Sequence, residues 1–173
     1  MWHINMEESI RNLTNITGQT LFGVPIQQTW TALYMLENLI REKNIHYIAE
    51  LGTGEGALFT YFTETAWYVQ TYDKKNGPDE DVFSDYVKKK VSYWIDRYSF
   101  PAMVFCDNGD KPREIREYAP MLRSGDFILG HDFGRYGGIP EDFIFEVPRL
   151  GLETYRQDEW DSMKTYILCM RKK

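Results

Sequence analysis

The chain has 173 residues, a length that fits one domain and is short for two. It carries a formal net charge of −6 with 43% hydrophobic residues; an acidic surface repels phosphate backbones and sets nucleic acid aside as a partner. No apolar run reaches about 18 residues, so no membrane span is expected, and Met1-Trp2-His3-Ile4-Asn5 lacks the basic-then-apolar order of a secretory signal.

These exclusions point to a cytoplasmic protein. The sequons at Asn12 and Asn15 then carry no meaning for glycosylation. Cys106 and Cys169 lie in separate apolar runs and read as reduced core residues, since two lone cysteines make no metal motif. The basic runs Lys88-Lys89-Lys90 and Arg171-Lys172-Lys173 read as solvated surface. There is no internal repeat and no linker, so residues 1–173 are expected to form a single domain.

Residues 1–25 read as an N-terminal arm, polar and weakly periodic over most of its length. From Pro25, residues Ile26, Trp30, Leu33, Leu36 and Ile40 recur every three or four positions, the stripe of an amphipathic helix ending near Lys43-Asn44. His46 to Leu51 reads as a strand that runs straight into Gly52-Thr53-Gly54-Glu55-Gly56. A helix over Ala57 to Glu64 follows, then a strand from Trp67 to Tyr72 ending at Asp73. Asp79 to Lys90 is read as helical and Val91 to Ile95 as a third strand, with Asp96 after it a candidate for the adenine. Ala102 to Cys106 is a continuous apolar run of strand length ending at Asp107. Pro112 to Leu122 reads as a helix, and Phe127 to Gly130 as a strand ending at His131-Asp132. Residues 134–150 form a glycine-containing loop on the substrate side. Leu152 to Arg156 and Thr165 to Met170 read as closing strands joined by a polar turn at Asp158 to Ser162.

Strands alternating with helices imply a largely parallel sheet covered on both faces. Ligands of such sheets bind beyond the carboxyl ends of the strands. Asp73, Asp107, His131, Asp132 and the glycine turn all fall there. Glycines after a first strand let a backbone approach a ligand closely, and the helix that follows presents free N–H groups. Glu50, two residues ahead of the first glycine, and Asp73, placed to accept both hydroxyls of a ribose, make a nucleoside ligand the leading reading. A dinucleotide fingerprint would want glycine at position 57, where the chain has Ala57.

The acidic-x-Gly-x-Gly-x-Gly pattern of Glu50 to Gly56 resembles the first motif of class I S-adenosylmethionine-dependent methyltransferases. The stretches Met103 to Lys111 and Leu122 to Phe133 resemble the fourth and fifth strands of the catechol and macrocin O-methyltransferases and of cephalosporin-hydroxylase-like proteins. The resemblance implies a Rossmann-like, doubly wound sheet of seven mostly parallel strands in a three-layer αβα sandwich. Its last strand would be antiparallel and lie beside the fifth, which keeps Cys106 and Cys169 apart. It implies cofactor contacts from Glu50, Gly52, Thr53, Gly54, Gly56, Asp73 and Asp107. It also implies a divalent metal, Mg²⁺ or Mn²⁺, held by Asp107, His131 and Asp132, with the histidine standing where the family has a carboxylate or amide. An oxygen-rich site suits Mg²⁺, and a histidine shifts the preference toward Mn²⁺, Fe²⁺ or Zn²⁺. Lys111, one residue from the family's lysine, and His131 are the candidate catalytic bases. A solvated first-turn lysine behind an Asp110 cap is an equal reading of Lys111.

The expected activity is transfer of a methyl group from S-adenosylmethionine to the oxygen of a small hydroxylated molecule. An NAD-type Rossmann oxidoreductase and a non-catalytic cofactor-binding accessory subunit are the alternatives. A homo-oligomer is compatible with the sequence.

Overall fold

The computed structural model describes residues 20–76 and 80–173. The arm before Thr20, with its sequons and His3, and position 79 lie outside the described residues. The chain enters through a small hairpin, β1 (Thr20–Leu21) and β2 (Val24–Pro25), turned by Phe22 and Gly23 at positive φ. Pro25 therefore belongs to the hairpin and does not start a helix. The first helix, α1 (Trp30–Lys43), begins where the Thr29 hydroxyl accepts the Ala32 N–H at 3.0 Å and ends at Asn44 in the left-handed region. A side-chain cap of this kind is worth about 1 kcal/mol, enough to set the boundary.

The remaining elements in chain order are β3 (Tyr47–Leu51), α2 (Ala57–Thr65), β4 (Tyr68–Tyr72), α3 (Asp85–Arg97), β5 (Ala102–Cys106), α4 (Lys111–Tyr118), β6 (Phe127–His131), β7 (Leu152–Thr154), α5 (Gln157–Ser162) and β8 (Ile167–Lys172). The strands form one sheet in the order β4-β3-β5-β6-β8-β7. The pairs from β4 to β6 are parallel, and β8 enters antiparallel between β6 and β7. Residue alternation along the strands splits the core. Tyr47, Ala49, Val104 and Ile128 face α3 and α4, and Ile48, Phe105, Leu129 and Cys169 face α1, α2 and α5. This is a three-layer Rossmann-like αβα arrangement. Cys106 and Cys169 are free, lie on opposite faces and have β6 between their strands.

Two expectations are corrected. The sheet has six strands among the described residues, because Val91 to Ile95 belongs to α3. The reason is periodicity: Val87, Val91 and Ile95 recur every four residues and are fully buried, and the Ser84 hydroxyl caps the Val87 N–H at 3.2 Å. Asp96 consequently sits exposed on a helix, away from any strand end. The turn expected at Asp158 to Ser162 is the helix α5, which buries Trp160. The 134–150 loop also does more than border a site: it inserts Ile139, Phe143 and Val147 into the core beneath two 3₁₀ turns.

Candidate functional site

The site is built where β3, β5 and β6 end. The Gly52 N–H donates to the Tyr72 carbonyl at 2.8 Å, and the Asp107 N–H donates to the Leu51 carbonyl at 2.7 Å. Gly52 has φ +109°, and a Cβ there would lie 2.4 Å from the Asp107 carbonyl oxygen. The first glycine of the turn is thus required by contact between two strand ends, which needs no ligand to explain it. Gly54 and Gly56 also hold positive φ, but a Cβ on either meets open space. Beside the turn lies a small cleft of about 70 Å³, bordered by Pro25, Gln28, Glu50, Thr53, Leu58 and Asp107.

Glu50 is 1% exposed, and neither carboxylate oxygen has a hydrogen-bond partner. Burial pushes its carboxyl up to about 8, and the charges of Asp107 and Asp73 push the same way. The Thr71 hydroxyl, bonded to that of Thr53 at 2.6 Å, lies near Glu50 and offsets part of this without reaching hydrogen-bond geometry. An ionised carboxylate buried without a partner costs several kcal/mol. Asp73 ends β4 and is used locally: its oxygens accept the Lys75 N–H at 2.9 Å and the Gly54 N–H at 3.4 Å.

On the far side of Asp107 the structure gathers four charged groups. Lys111 Nζ lies 3.3 Å from Asp107 Oδ1 and 3.1 Å from Asp132 Oδ2. His131 Nδ1 lies 3.3 Å from Asp107 Oδ1 and 3.5 Å from Asp132 Oδ2. Burial alone would lower the His131 pKa; its hydrogen bonds and charge contacts with the two carboxylates outweigh that and raise it to about 9. The same two carboxylates outweigh burial at Lys111 and hold its ammonium above the usual lysine range. The His131 hydrogen bond, aided by Lys111, holds Asp132 well below the usual carboxylate range. Asp132 itself has φ +59°, and its carbonyl accepts the Ile139 N–H at 3.1 Å. A Cβ on Gly138 would meet that carbonyl at 2.0 Å, so a glycine is needed there to seat the strand end.

Asp107, His131 and Asp132 can each offer a ligand atom within 4.8 Å of the others, which suits a divalent cation. Yet the cluster already places Lys111 and His131 against the two carboxylates, whose charges favour the protonated form of both. That pull weighs against the base role expected for Lys111 and His131. Asp110 does cap α4, accepting the Arg113 N–H at 3.2 Å, but Lys111 points into the cluster and is buried.

Two residues were not picked out from the sequence. Gln28, 4% exposed, donates from Nε2 to Asp107 Oδ2 at 3.0 Å, closing the fourth side of that carboxylate. Nothing in the polar preface Gln27-Gln28-Thr29 signals this. Glu114, fully buried, accepts the Asn108 N–H at 3.3 Å with one oxygen and leaves the other unpartnered; burial raises its carboxyl to about 7. It shares the inward face of α4 with Ile115 and Tyr118, and an acid on an apolar stripe was a legible signal.

No family model matches the chain, and no curated protein matches it. A crystal structure of a candidate caffeoyl-CoA O-methyltransferase from Staphylococcus aureus is similar over 98% of this chain and 93% of that one, with TM-score 0.50 and 15% identity. A candidate methyltransferase from Thermobifida fusca YX is similar over 83% of this chain and 79% of that one, with TM-score 0.40 and 14% identity. At such identity the first likeness shows a shared fold: the chain is a Rossmann-like α/β protein of the architecture that the Staphylococcus aureus structure has. No helix among the described residues is long and apolar enough to cross a membrane.

Proposed function

We propose that the chain is an S-adenosylmethionine-dependent O-methyltransferase acting on a small hydroxylated molecule. The observation that carries this reading is Glu50: a buried carboxylate, both oxygens unpartnered, on the wall of a cleft beside a glycine turn. Such a group calls for a cationic hydrogen-bond donor, and S-adenosylmethionine brings an ammonium and a sulfonium. Asp73, at the neighbouring strand end, supports it as an acceptor for ribose hydroxyls, and Thr53, Gly54 and Gly56 as the backbone floor. Asp107 stands between this cleft and the four-charge cluster, where it would separate cofactor from acceptor. A dinucleotide offers no ammonium to Glu50, which disfavours the oxidoreductase.

When bound, the cofactor supplies an electrophilic methyl group for in-line displacement. The chain's part is to position the acceptor oxygen and stabilise the charge that develops there. Lys111 and His131, as cations, lower the cost of ionising the acceptor hydroxyl and hold the resulting oxyanion; the hydroxyl proton passes to solvent before the methyl is transferred. A divalent cation held by Asp107, His131 and Asp132 would supply the same stabilisation as a Lewis acid. To enter it must displace the Lys111 ammonium and take the proton of His131, so the reading favours metal-independent transfer near neutral pH. Titration with S-adenosylmethionine, with and without Mg²⁺ and with chelator, tests both parts. Micromolar-range binding that is indifferent to metal is expected; absence of binding under all conditions refutes the function.

A further inference from the structure

We propose that a second copy of this chain pairs antiparallel with the open edge of β4, about a two-fold axis at Gln70, to make one continuous sheet across a homodimer. β4 is the end strand of the sheet and pairs only with β3 among the described residues. In the doubly wound order a third strand would flank the second and cover this edge. Here the segment expected to supply it is α3, so among the described residues the edge is left without its strand.

The direction of the backbone groups follows from two hydrogen bonds. The Tyr68 N–H donates to the His46 carbonyl at 2.9 Å, and the Tyr72 carbonyl accepts the Gly52 N–H at 2.8 Å. Groups alternate along a strand, so Tyr68, Gln70 and Tyr72 aim at β3, and the N–H and C=O of Val69 and Thr71 aim outward. An antiparallel copy centred on Gln70 puts Val69 opposite Thr71 of the second copy, and the reverse. Each such pair exchanges two hydrogen bonds, which satisfies all four outward groups on each strand. Gln70 then faces its own counterpart in a non-hydrogen-bonded pair with Cα atoms about 4.5 Å apart.

The side chains agree with a self-pairing. Tyr68-Val69-Gln70-Thr71-Tyr72 has no charge and no proline, and reads nearly the same in both directions: aromatic, β-branched, glutamine, β-branched, aromatic. Natural edges exposed to solvent are usually blunted by charge, proline or a bulge. α3 runs antiparallel to β4, with Trp94 4.4 Å from Tyr68 and Lys90 5.6 Å from the Tyr72 ring. The two-fold axis therefore brings the Asp96-Arg97 end of one α3 toward the Asp85–Lys90 end of the other, where each end carries both signs of charge and like charges are not forced together.

The test is the mass of the full chain in solution by sedimentation across a concentration series. The wild type is expected to dimerise. Gln70→Lys and Gln70→Glu place like charges on the axis and are each expected to be monomeric, while their equimolar mixture regains the dimer. Gln70→Cys is expected to cross-link into a covalent dimer under mild oxidation, because non-hydrogen-bonded pairs allow a disulfide and Cys106 and Cys169 are buried. That variant decides the matter if the charged ones fail to fold. A wild type that stays monomeric, a dimer that both charged variants leave intact, or a Gln70→Cys chain that stays uncross-linked overturns the proposal.

Discussion

Glu50 offers the sharpest handle on the cofactor reading, because its protonation should report ligand binding. With its carboxyl raised to about 8, roughly 1% of the unliganded protein has Glu50 ionised at pH 6 and about half at pH 8. A ligand whose ammonium requires the carboxylate should gain about 50-fold from Glu50 between pH 6 and pH 8, close to 2.3 kcal/mol. The ligand's own α-amino group loses its proton over the upper part of this range, so the net gain is smaller and affinity should pass through a maximum near pH 8. S-adenosylhomocysteine, which carries the same amino acid end and cannot react, is the ligand to titrate. Calorimetry at pH 7 in buffers of different ionisation enthalpy should show nearly one proton released on binding. Glu50→Gln should bind weakly with neither the pH dependence nor the proton release. An affinity that is flat from pH 6 to 8 in the wild type would refute the pairing of Glu50 with the cofactor.

The unliganded fold should also lose stability as pH rises. Glu50 and Glu114 hold protons in the folded state up to about 8 and about 7, whereas the unfolded chain releases them near the ordinary 4.5. The His131 contribution is complete below about 6.5 and lost as pH climbs toward about 9. All three have the same sign, so the melting temperature should fall between pH 5 and pH 9, and each of Glu50→Gln and Glu114→Gln should flatten part of the slope. Gly52→Val should act as a folding defect of several kcal/mol rather than a binding defect, seen as a lower denaturant midpoint without ligand, because its side chain meets Asp107 backbone. Asp73→Ala should weaken cofactor binding by about 1.5–3 kcal/mol, measured by titration, and also cost about 1 kcal/mol of stability through the lost Lys75 and Gly54 hydrogen bonds. Lys111→Met should leave two carboxylates facing one imidazolium, raising Mn²⁺ affinity at neutral pH at least tenfold over the wild type; unchanged Mn²⁺ binding would show that the ammonium does not compete for the site.

The parts of the fold carried by local pattern were legible in the sequence. The apolar runs at 47–51, 102–106 and 127–131 are strands, and their polar ends converge, because parallel connections bring carboxyl ends to one edge. Val91 to Ile95 misled because a short window of apolar and aromatic residues fits either period, and only the wider spacing from Val87 settles it. Site residues at strand ends could be placed by topology alone. Gln28 could not, since its meeting with Asp107 spans 79 positions and depends on how the chain enters α1. The charge state of the cluster was equally hidden: which cation answers Asp107 and Asp132 depends on the direction of the Lys111 side chain on a helix's first turn.

The contact between Gly52 and the Asp107 carbonyl has a mechanical consequence. Two strand ends that meet backbone to backbone, with no side chain between them to change rotamer, leave neither room to shift toward the other, and the Asp107 N–H bond to the Leu51 carbonyl at 2.7 Å ties them. A displacement of the turn toward β5 therefore carries to Asp107 and the ionic cluster. Variation in what the protein accepts is then easiest at exposed positions that border this floor, such as the loop tip at 134–137, while Gln28, Ile139, Phe143 and Val147 stay fixed by the site and the core.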